Sequence, residues 1–296
     1  LLGHSGRPDG KAVLRFTLEP VAKWYAQKLQ GKIEPTKLGE FPGWKISNSL
    51  FLLENLRFYK GEEENPSTGS GQAFAKQLAS LGDMYVNEAF AVSHRNHASI
   101  TGLAKLLPSY AGLHLQEEIE ALSKILKNPE RPLVVLIGGA KIETKLPIVE
   151  KMHHVADYVL VGGKIAEEIR ILIKVQHEKI TGQKSVVFIA DNIPAGDDIT
   201  QKDTENFIQI IGLAKTIVWN GPMGKMGNQK TEENTIKIAR AIVASNAYSV
   251  IGGGDSLALL KQHNLLDKFS FVSTGGGAML EFLSGKPLPG IKVLEN

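Results

Sequence analysis

The stretch Leu133-Val134-Val135-Leu136-Ile137-Gly138-Gly139-Ala140-Lys141 decides the fold. Its apolar run shows no polar alternation, so it reads as a strand covered on both faces, as in a parallel sheet. The run stops at a glycine pair, and a helical pattern follows over 145–153. The same grammar recurs. Strand-like runs at 158–161, 216–219, 249–251 and 269–272 stop at Gly162-Gly163, Asn220-Gly221-Pro222, Gly252-Gly253-Gly254-Asp255-Ser256 and Ser273-Thr274-Gly275-Gly276-Gly277. Runs at 49–53 and 186–189 read as further buried parallel strands. Amphipathic helical patterns fall at 18–29, 73–81, 117–126, 145–153 and 235–244. Strand alternating with helix predicts an α/β fold with mainly parallel sheets.

Composition bounds the function. A chain of 296 residues suits two domains. Apolar residues at 43% and charged residues at 22% exclude wholesale disorder. No apolar run is long enough for a transmembrane helix. Zero Cys excludes disulfides, thiolate metal sites and a cysteine nucleophile, and fits a cytoplasmic chain. The net charge of +3 comes from scattered Lys and Arg, which argues against a nucleic-acid groove and permits a local anion site. The opening Leu1-Leu2-Gly3-His4 has no Met and no signal pattern. It reads as the end of a strand whose start precedes residue 1, in a fragment or in pieces joined end to end.

Residues 61–71 (GEEENPSTGSG) read as an exposed loop. Asn128-Pro129-Glu130-Arg131-Pro132 stops the preceding helix. The expected division is therefore an N-terminal lobe over 1–111, a connecting helix over 112–129 and a C-terminal lobe over 130–296.

Glycine turns at strand ends let backbone N–H groups approach phosphates, and the next helix adds its positive end. Five such turns in one lobe predict a phosphate or nucleotide site. No GxxxxGK[ST] and no GxGxxG with a distant acid is present, so neither a P-loop nor a dinucleotide site is expected. Asp255 serves either as a helix N-cap or as a Mg²⁺ ligand on a nucleotide. In the other lobe, His4, Arg7, Arg57 and the run His94-Arg95-Asn96-His97 place basic residues in turns. Arginine gives bidentate recognition of phosphate or carboxylate. The spacing of His94 and His97 raises a metal, but Arg95 between them repels a cation and no third ligand lies nearby. One basic lobe and one Gly-rich lobe predict phosphoryl transfer between a small phosphorylated acid and a nucleotide.

These residues resemble the phosphoglycerate kinase family. The motifs run in family order: GHSGRPDG (3–10), LLENLRFYKGEEEN (52–65), LGDMYVNEAFAVSHRNHAS (81–99), NPERP (128–132), IGGAKIETK (137–145), VWNGPMG (218–224), IGGGDS (251–256) and FVSTGGGAMLEFLSGKPLPGI (271–291). The resemblance implies two Rossmann-like lobes joined by a helix, with hinge closure. It implies reversible transfer between 1,3-bisphosphoglycerate and ADP, giving 3-phosphoglycerate and ATP, in a cytoplasmic glycolytic monomer that binds neither nucleic acid nor membrane. His4, Arg7, Arg95 and Arg131 correspond to substrate contacts. Gly138, Gly139, Lys141, Gly252, Gly253, Gly254, Asp255 and Ser256 correspond to the Mg-nucleotide site, with Asp255 near Mg²⁺ of ATP or ADP. Gly275, Gly276 and Gly277 open the helix that faces the transferring phosphoryl group.

The chain also departs from the family pattern. The family's first strand, with an Asp, an Asn and an Arg, precedes residue 1. After Ala166 the chain passes into 170–175, which resembles a later strand, with a segment skipped between. The family's Pro-Val-Asp there reads Lys174-Val175-Gln176. The Glu that holds ribose is replaced within Lys225-Met226-Gly227. These departures raise a second reading, a non-catalytic descendant that binds nucleotide or a partner. The retained substrate residues oppose it.

Overall fold

The computed structural model describes residues 1–176, 185–193 and 197–295. The chain folds as two compact units. Unit 1 comprises Leu1–Glu88, Arg95–Gly112 and Pro289–Asn296, and unit 2 comprises Ala89–His94 and Leu113–Leu288. The chain is thus divided less simply than the expected 1–111, 112–129 and 130–296.

Unit 1 begins with α1 (Glu19–Lys28), whose first turn carries Glu19 and Pro20. Strands β1 (Glu34–Leu38), β2 (Phe41–Lys45) and β3 (Phe51–Leu53) follow as an antiparallel sheet. Residues 49–53 are therefore not a parallel strand, because a short reversal after β2 returns the chain beside it. Leu18, Ala22 and Ala26 pack against Trp44, Ile46 and Leu52. Leu1 accepts a backbone hydrogen bond from Leu53 at 3.0 Å and so runs beside β3. Next come α2 (Gly69–Ala79), β4 (Tyr85–Asn87), α3 (Leu103–Leu106) and β5 (Ser109–Ala111), with β4 and β5 parallel.

The expected exposed loop over 61–71 holds at 63–65 and 67–68 and needs correcting elsewhere. Gly61, Glu62, Pro66 and Gly71 are buried, and α2 starts at Gly69. A Cβ at Gly71 would lie 2.3 Å from the Asn65 carbonyl oxygen, so the chain is packed there. Polar composition signals exposure only where the polar groups lack partners inside the fold.

The long segment of unit 2 starts with α4 (Leu113–Lys127). It continues through β6 (Leu133–Ile137), α5 (Ile142–Val155), β7 (Tyr158–Val161), α6 (Ile165–Gln176) and β8 (Val186–Ile189). Then come α7 (Gln201–Leu213), β9 (Thr216–Asn220), α8 (Gln229–Ala244), β10 (Tyr248–Gly252) and α9 (Gly254–Gln262). It closes with β11 (Phe271–Val272) and α10 (Gly276–Leu283), and α11 (Pro289–Lys292) belongs to unit 1. There Asn87 donates to the Gly290 carbonyl at 3.2 Å, which ties α11 to β4.

The sheet of unit 2 is six-stranded and parallel, in the order β11-β10-β9-β6-β7-β8. Val134 and Leu136 of β6 share a core with Phe207, Ile210 and Ile211 of α7 and Ile238 and Ile242 of α8. Leu133, Val135 and Ile137 are equally buried and point to the opposite face by the two-residue period of a strand. Helix α8 starts before the apolar pattern at 235 because its first turn is polar and capped by Asn228, whose side chain accepts from Lys230 N at 3.0 Å.

Residues 170–175 form part of α6 and not a strand. Ile165, Ala166 and Ile169 are buried at helical spacing, and Arg170 reaches across to the Asp191 carboxylate at 2.6 Å beyond β8. Among the described residues, no helix is long and apolar enough to cross a membrane.

Candidate functional site

In unit 2 the chain winds outward from β6 through β7 to β8, then returns to the other side of β6 with β9. Strand order therefore reverses between β6 and β9, which opens a crevice at their carboxyl ends. A cleft of about 730 Å³ lies there, lined by Gly139, Ala140, Gly163, Lys164, Pro222, Lys225 and Asp255 among others. Glu167, Glu168, Asn192 and Asp197 also reach it.

The glycines at this edge divide into two kinds. Gly138 and Gly221 are packing residues. A Cβ on Gly138 would lie 2.2 Å from Pro222 O, and one on Gly221 would lie 2.3 Å from Gly138 O. Their turns are also tied together, since Gly138 N donates to Asn220 O at 3.0 Å and Gly139 N to Pro222 O at 2.8 Å. The N–H groups of Gly138 and Gly139 are thus spent inside the fold, contrary to the sequence reading. Gly252 is closed off by Met279 and Gly275 by Phe90.

Gly254, Gly276 and Gly277 differ. A Cβ on Gly254 would meet nothing within 4 Å. On Gly276 and Gly277 its nearest contacts would be 3.5 Å away, at Gly253 Cα and His94 Nε2. Nothing in the described fold requires glycine at these three places, and all three lie in the first turn of α9 or α10. First-turn N–H groups have no partner within their helix and carry its positive end. Gly253, at φ +104°, supplies the left-handed backbone that turns β10 into α9. Asp255 is exposed on the cleft with no ion pair among the described residues. Ser256 is buried, and its Oγ has no hydrogen-bond partner among them.

Lys145, which the sequence reading missed, lies beneath this edge. It is only 7% exposed. Its ammonium donates to the Asn220 side-chain oxygen and to Asn220 O at 3.3 Å. Burial without a carboxylate partner lowers its pKa to about 8, and the Asp255 charge pulls it partly back up. Asn220 also reaches Gly276 O at 3.5 Å, so one side chain links β9, α5 and α10. Lys141 precedes α5 as its exposed N-cap residue, outside the cleft lining. The available signal was helical, because Lys145 sits one turn beyond Lys141.

Unit 1 gathers a basic cluster around one buried carboxylate. Glu62 is 0% exposed and accepts from Ser99 N at 3.0 Å and Ser99 Oγ at 2.5 Å. His4 Nε2 sits 2.6 Å from Glu62 Oε1. His97 is buried with its Nδ1 3.6 Å from the same oxygen. Burial lowers the His97 pKa to about 4, against the pull of Glu62, so its ring is neutral at pH 7. Arg57, in the turn after β3, donates to Gly6 O at 2.8 Å and lies 3.0 Å from Glu63 Oε1. Burial holds its pKa down. Glu63 and Glu62 oppose that, while Arg95 and Arg7 add to it. Arg95 Nε is buried without a hydrogen-bond partner, and Arg7 is exposed with no ion pair, among the described residues.

The substrate role of Arg131 is implied by the resemblance alone. Arg131 lies in unit 2, 54% exposed, and pairs with Asp157 at 2.8 Å. Asp157 in turn accepts from Leu133 N at 2.7 Å, so the pair anchors the start of β6. Arg57, one of the basic residues that the sequence places in the first lobe, lies in the unit 1 cluster. Arg131→Ala should cost about 0.5–1 kcal/mol of stability, the scale of an exposed ion pair. It should leave the KM for a small phosphorylated acid within about twofold, and a larger rise in steady-state kinetics would restore Arg131 to the substrate site.

A parallel sheet with reversed strand order, edged by open helix N-termini, defines a doubly wound α/β fold suited to phosphate groups. Comparison with known proteins narrows this. The phosphoglycerate kinase family profile matches residues 1–193 and 169–286. A phosphoglycerate kinase of Borrelia hermsii is 36% identical over 344 aligned positions, covering 100% of this chain and 86% of its own. One from Dictyoglomus turgidum is 38% identical, covering 100% and 85%. The solved phosphoglycerate kinase from Coxiella burnetii matches with a TM-score of 0.74 at 34% identity, over 99% of this chain and 85% of that one. The chain belongs to the phosphoglycerate kinase family, whose activity is a glycolytic phosphoryl transfer with a carboxyl group as acceptor.

Proposed function

We propose that unit 1 binds 3-phosphoglycerate through His4, Arg7, Arg57 and Arg95, and that unit 2 binds ADP or ATP at the carboxyl edge of its sheet. The reaction is reversible phosphoryl transfer between 1,3-bisphosphoglycerate and ADP. The observation that carries the nucleotide half is the set Gly254, with open space above it, and Gly276 and Gly277, where a Cβ would meet only ordinary contacts at 3.5 Å, all at two helix N-termini. Such places accept phosphate oxygens that any side chain would displace.

Phosphoryl transfer asks the protein mainly for positioning and for charge neutralisation. First-turn N–H groups of α9 and α10 direct partial positive charge at the phosphates. Lys145 adds a buried charge behind them through Asn220. Arg57 and Arg95 supply guanidinium forks for the acid's phosphate and carboxylate. Asp255 is the residue that would hold Mg²⁺. Its exposed carboxylate borders the cleft without an ion pair among the described residues, which suits a cation that keeps several waters and takes one protein carboxylate. Bound there, Mg²⁺ supplies neutralisation of nucleotide phosphate charge.

The test separates the two ligands. Arg95→Ala should weaken 3-phosphoglycerate binding by about 1.5–3 kcal/mol, the scale of a charged hydrogen bond, with ADP binding unchanged. Asp255→Ala should do the reverse. Calorimetric titration of both variants with both ligands decides it, and two variants acting on one ligand would sink the assignment. The replacement within Lys225-Met226-Gly227 supports a second reading, nucleotide binding without turnover. A coupled assay with no product formed by a chain that binds ADP would favour it.

A further inference from the structure

We propose that His4, Glu62 and His97 form a binding site for a divalent transition-metal ion of the Zn²⁺ type. This ligand class differs from the phosphorylated acid and the Mg-nucleotide, although His4 is shared with the proposed 3-phosphoglycerate site. Three ligand atoms, His4 Nε2, a Glu62 carboxylate oxygen and a His97 ring nitrogen, lie within 4.8 Å of one another. Two imidazoles with one carboxylate are a recurrent zinc set, with bonds of about 2.0–2.2 Å. Tetrahedral bonds of that length place ligand atoms about 3.4 Å apart. His97 Nδ1 lies 3.6 Å from Glu62 Oε1, close to that value, and the 2.6 Å hydrogen bond between His4 and Glu62 must open by about 0.8 Å to admit an ion.

Burial supports the assignment. Glu62 is fully buried, and the His4 and His97 side chains are 10% and 7% exposed. His97 Nδ1 faces the carboxylate with no hydrogen-bond partner among the described residues. An unspent ring nitrogen inside a protein is costly unless something occupies it. Ser99 holds Glu62 from behind through N at 3.0 Å and Oγ at 2.5 Å, the kind of outer support that orients a metal-binding carboxylate.

The neighbouring arginines oppose a cation. Arg57 and Arg95 both push against a positive charge at His97, while Glu62 favours one. Affinity should therefore fall short of a closed structural zinc site. Coordination needs the His4 Nε2 lone pair, so any proton there leaves to solvent as the ion binds.

The experiment titrates the whole metal-stripped chain with Zn²⁺ by calorimetry in phosphate-free buffer. It is repeated with Co²⁺ read by visible absorption. We expect one ion per chain and the intense d–d bands of a four-coordinate Co²⁺ site. His97→Ala and Glu62→Gln should each weaken binding about tenfold or more. His154→Ala, in the histidine pair on α5, should leave it unchanged. No stoichiometric binding, weak octahedral Co²⁺ bands, or loss of binding in His154→Ala would each overturn the proposal. Should His97→Ala fail to fold, the wild-type Co²⁺ spectrum and the less buried His4→Ala decide in its place. Binding of 3-phosphoglycerate to the metal-free chain is measured alongside, so failure of the substrate reading remains distinguishable.

Discussion

Glu62→Ala should lower stability by about 3–5 kcal/mol, the scale of breaking a buried ion pair by removing one partner. Its carboxylate satisfies Ser99 N, Ser99 Oγ and His4 at once, from a position with no solvent exposure. Alanine leaves those donors buried and unpaired. It also removes a negative charge that offsets Arg57. Glu62→Gln retains the shape and one acceptor oxygen, so its loss should be clearly smaller. Urea denaturation of both variants checks this through the shift in midpoint at constant slope. A shift for Glu62→Ala worth less than about 1 kcal/mol would mean that water replaces the carboxylate and that the cluster is not rigid.

Lys145→Met should lower kcat by roughly 10²–10³-fold, the cost of removing one preorganised electrostatic group from a transition state. Folding should survive the change. Methionine fills most of the same volume, and the buried ammonium it replaces pairs with amide oxygens of Asn220 and not with a carboxylate. The pH dependence gives a second readout. Lys145 has its folded pKa lowered to about 8 from the model-compound 10.5. Between those values the unfolded chain binds more protons than the folded one. Wild-type stability therefore gains from this group as pH rises from 8 to 10.5, and the gain should vanish in Lys145→Met. A kcat within threefold of wild type would show that the charge on Lys145 serves only the packing of Asn220.

Much of unit 2 was legible because its signals are local. Leu133–Ile137, Tyr158–Val161 and Val186–Ile189 fall where the apolar runs placed them. A fully buried strand such as Leu133–Ile137 writes its burial into consecutive residues, whereas Val186–Ile189 sits at the sheet edge and is not buried as expected, with Val186 51% and Phe188 38% exposed. Residues 170–175 failed for the matching reason. A short apolar run satisfies both a strand and the inner face of a helix, and the buried spacing of Ile165, Ala166 and Ile169 settled it as helix. The run at 61–71 misled because Glu62 has the composition of a loop and the partners of a core residue.

The glycine turns show how far local reading extends. Their location at strand ends was visible in the sequence. Their division into packed glycines, such as Gly138 and Gly221, and open ones, such as Gly254 and Gly276, was not. A glycine's neighbours across a sheet lie outside its own stretch of chain.

By itself the sequence determined the parallel sheet, the glycine-edged strand ends, the basic character of the first lobe and the resemblance to a kinase family. Each depends on residues that adjoin or repeat within one element. Tertiary structure decided the rest: that Arg131 pairs with Asp157, and that Lys145 holds Asn220 from 75 positions away. It also decided that His4 meets a carboxylate 58 positions along the chain. Such partners are chosen by chain crossings that close only when the hydrophobic cores form. The energies that fix them, desolvation and buried charge pairing, have no counterpart in a local run of residues.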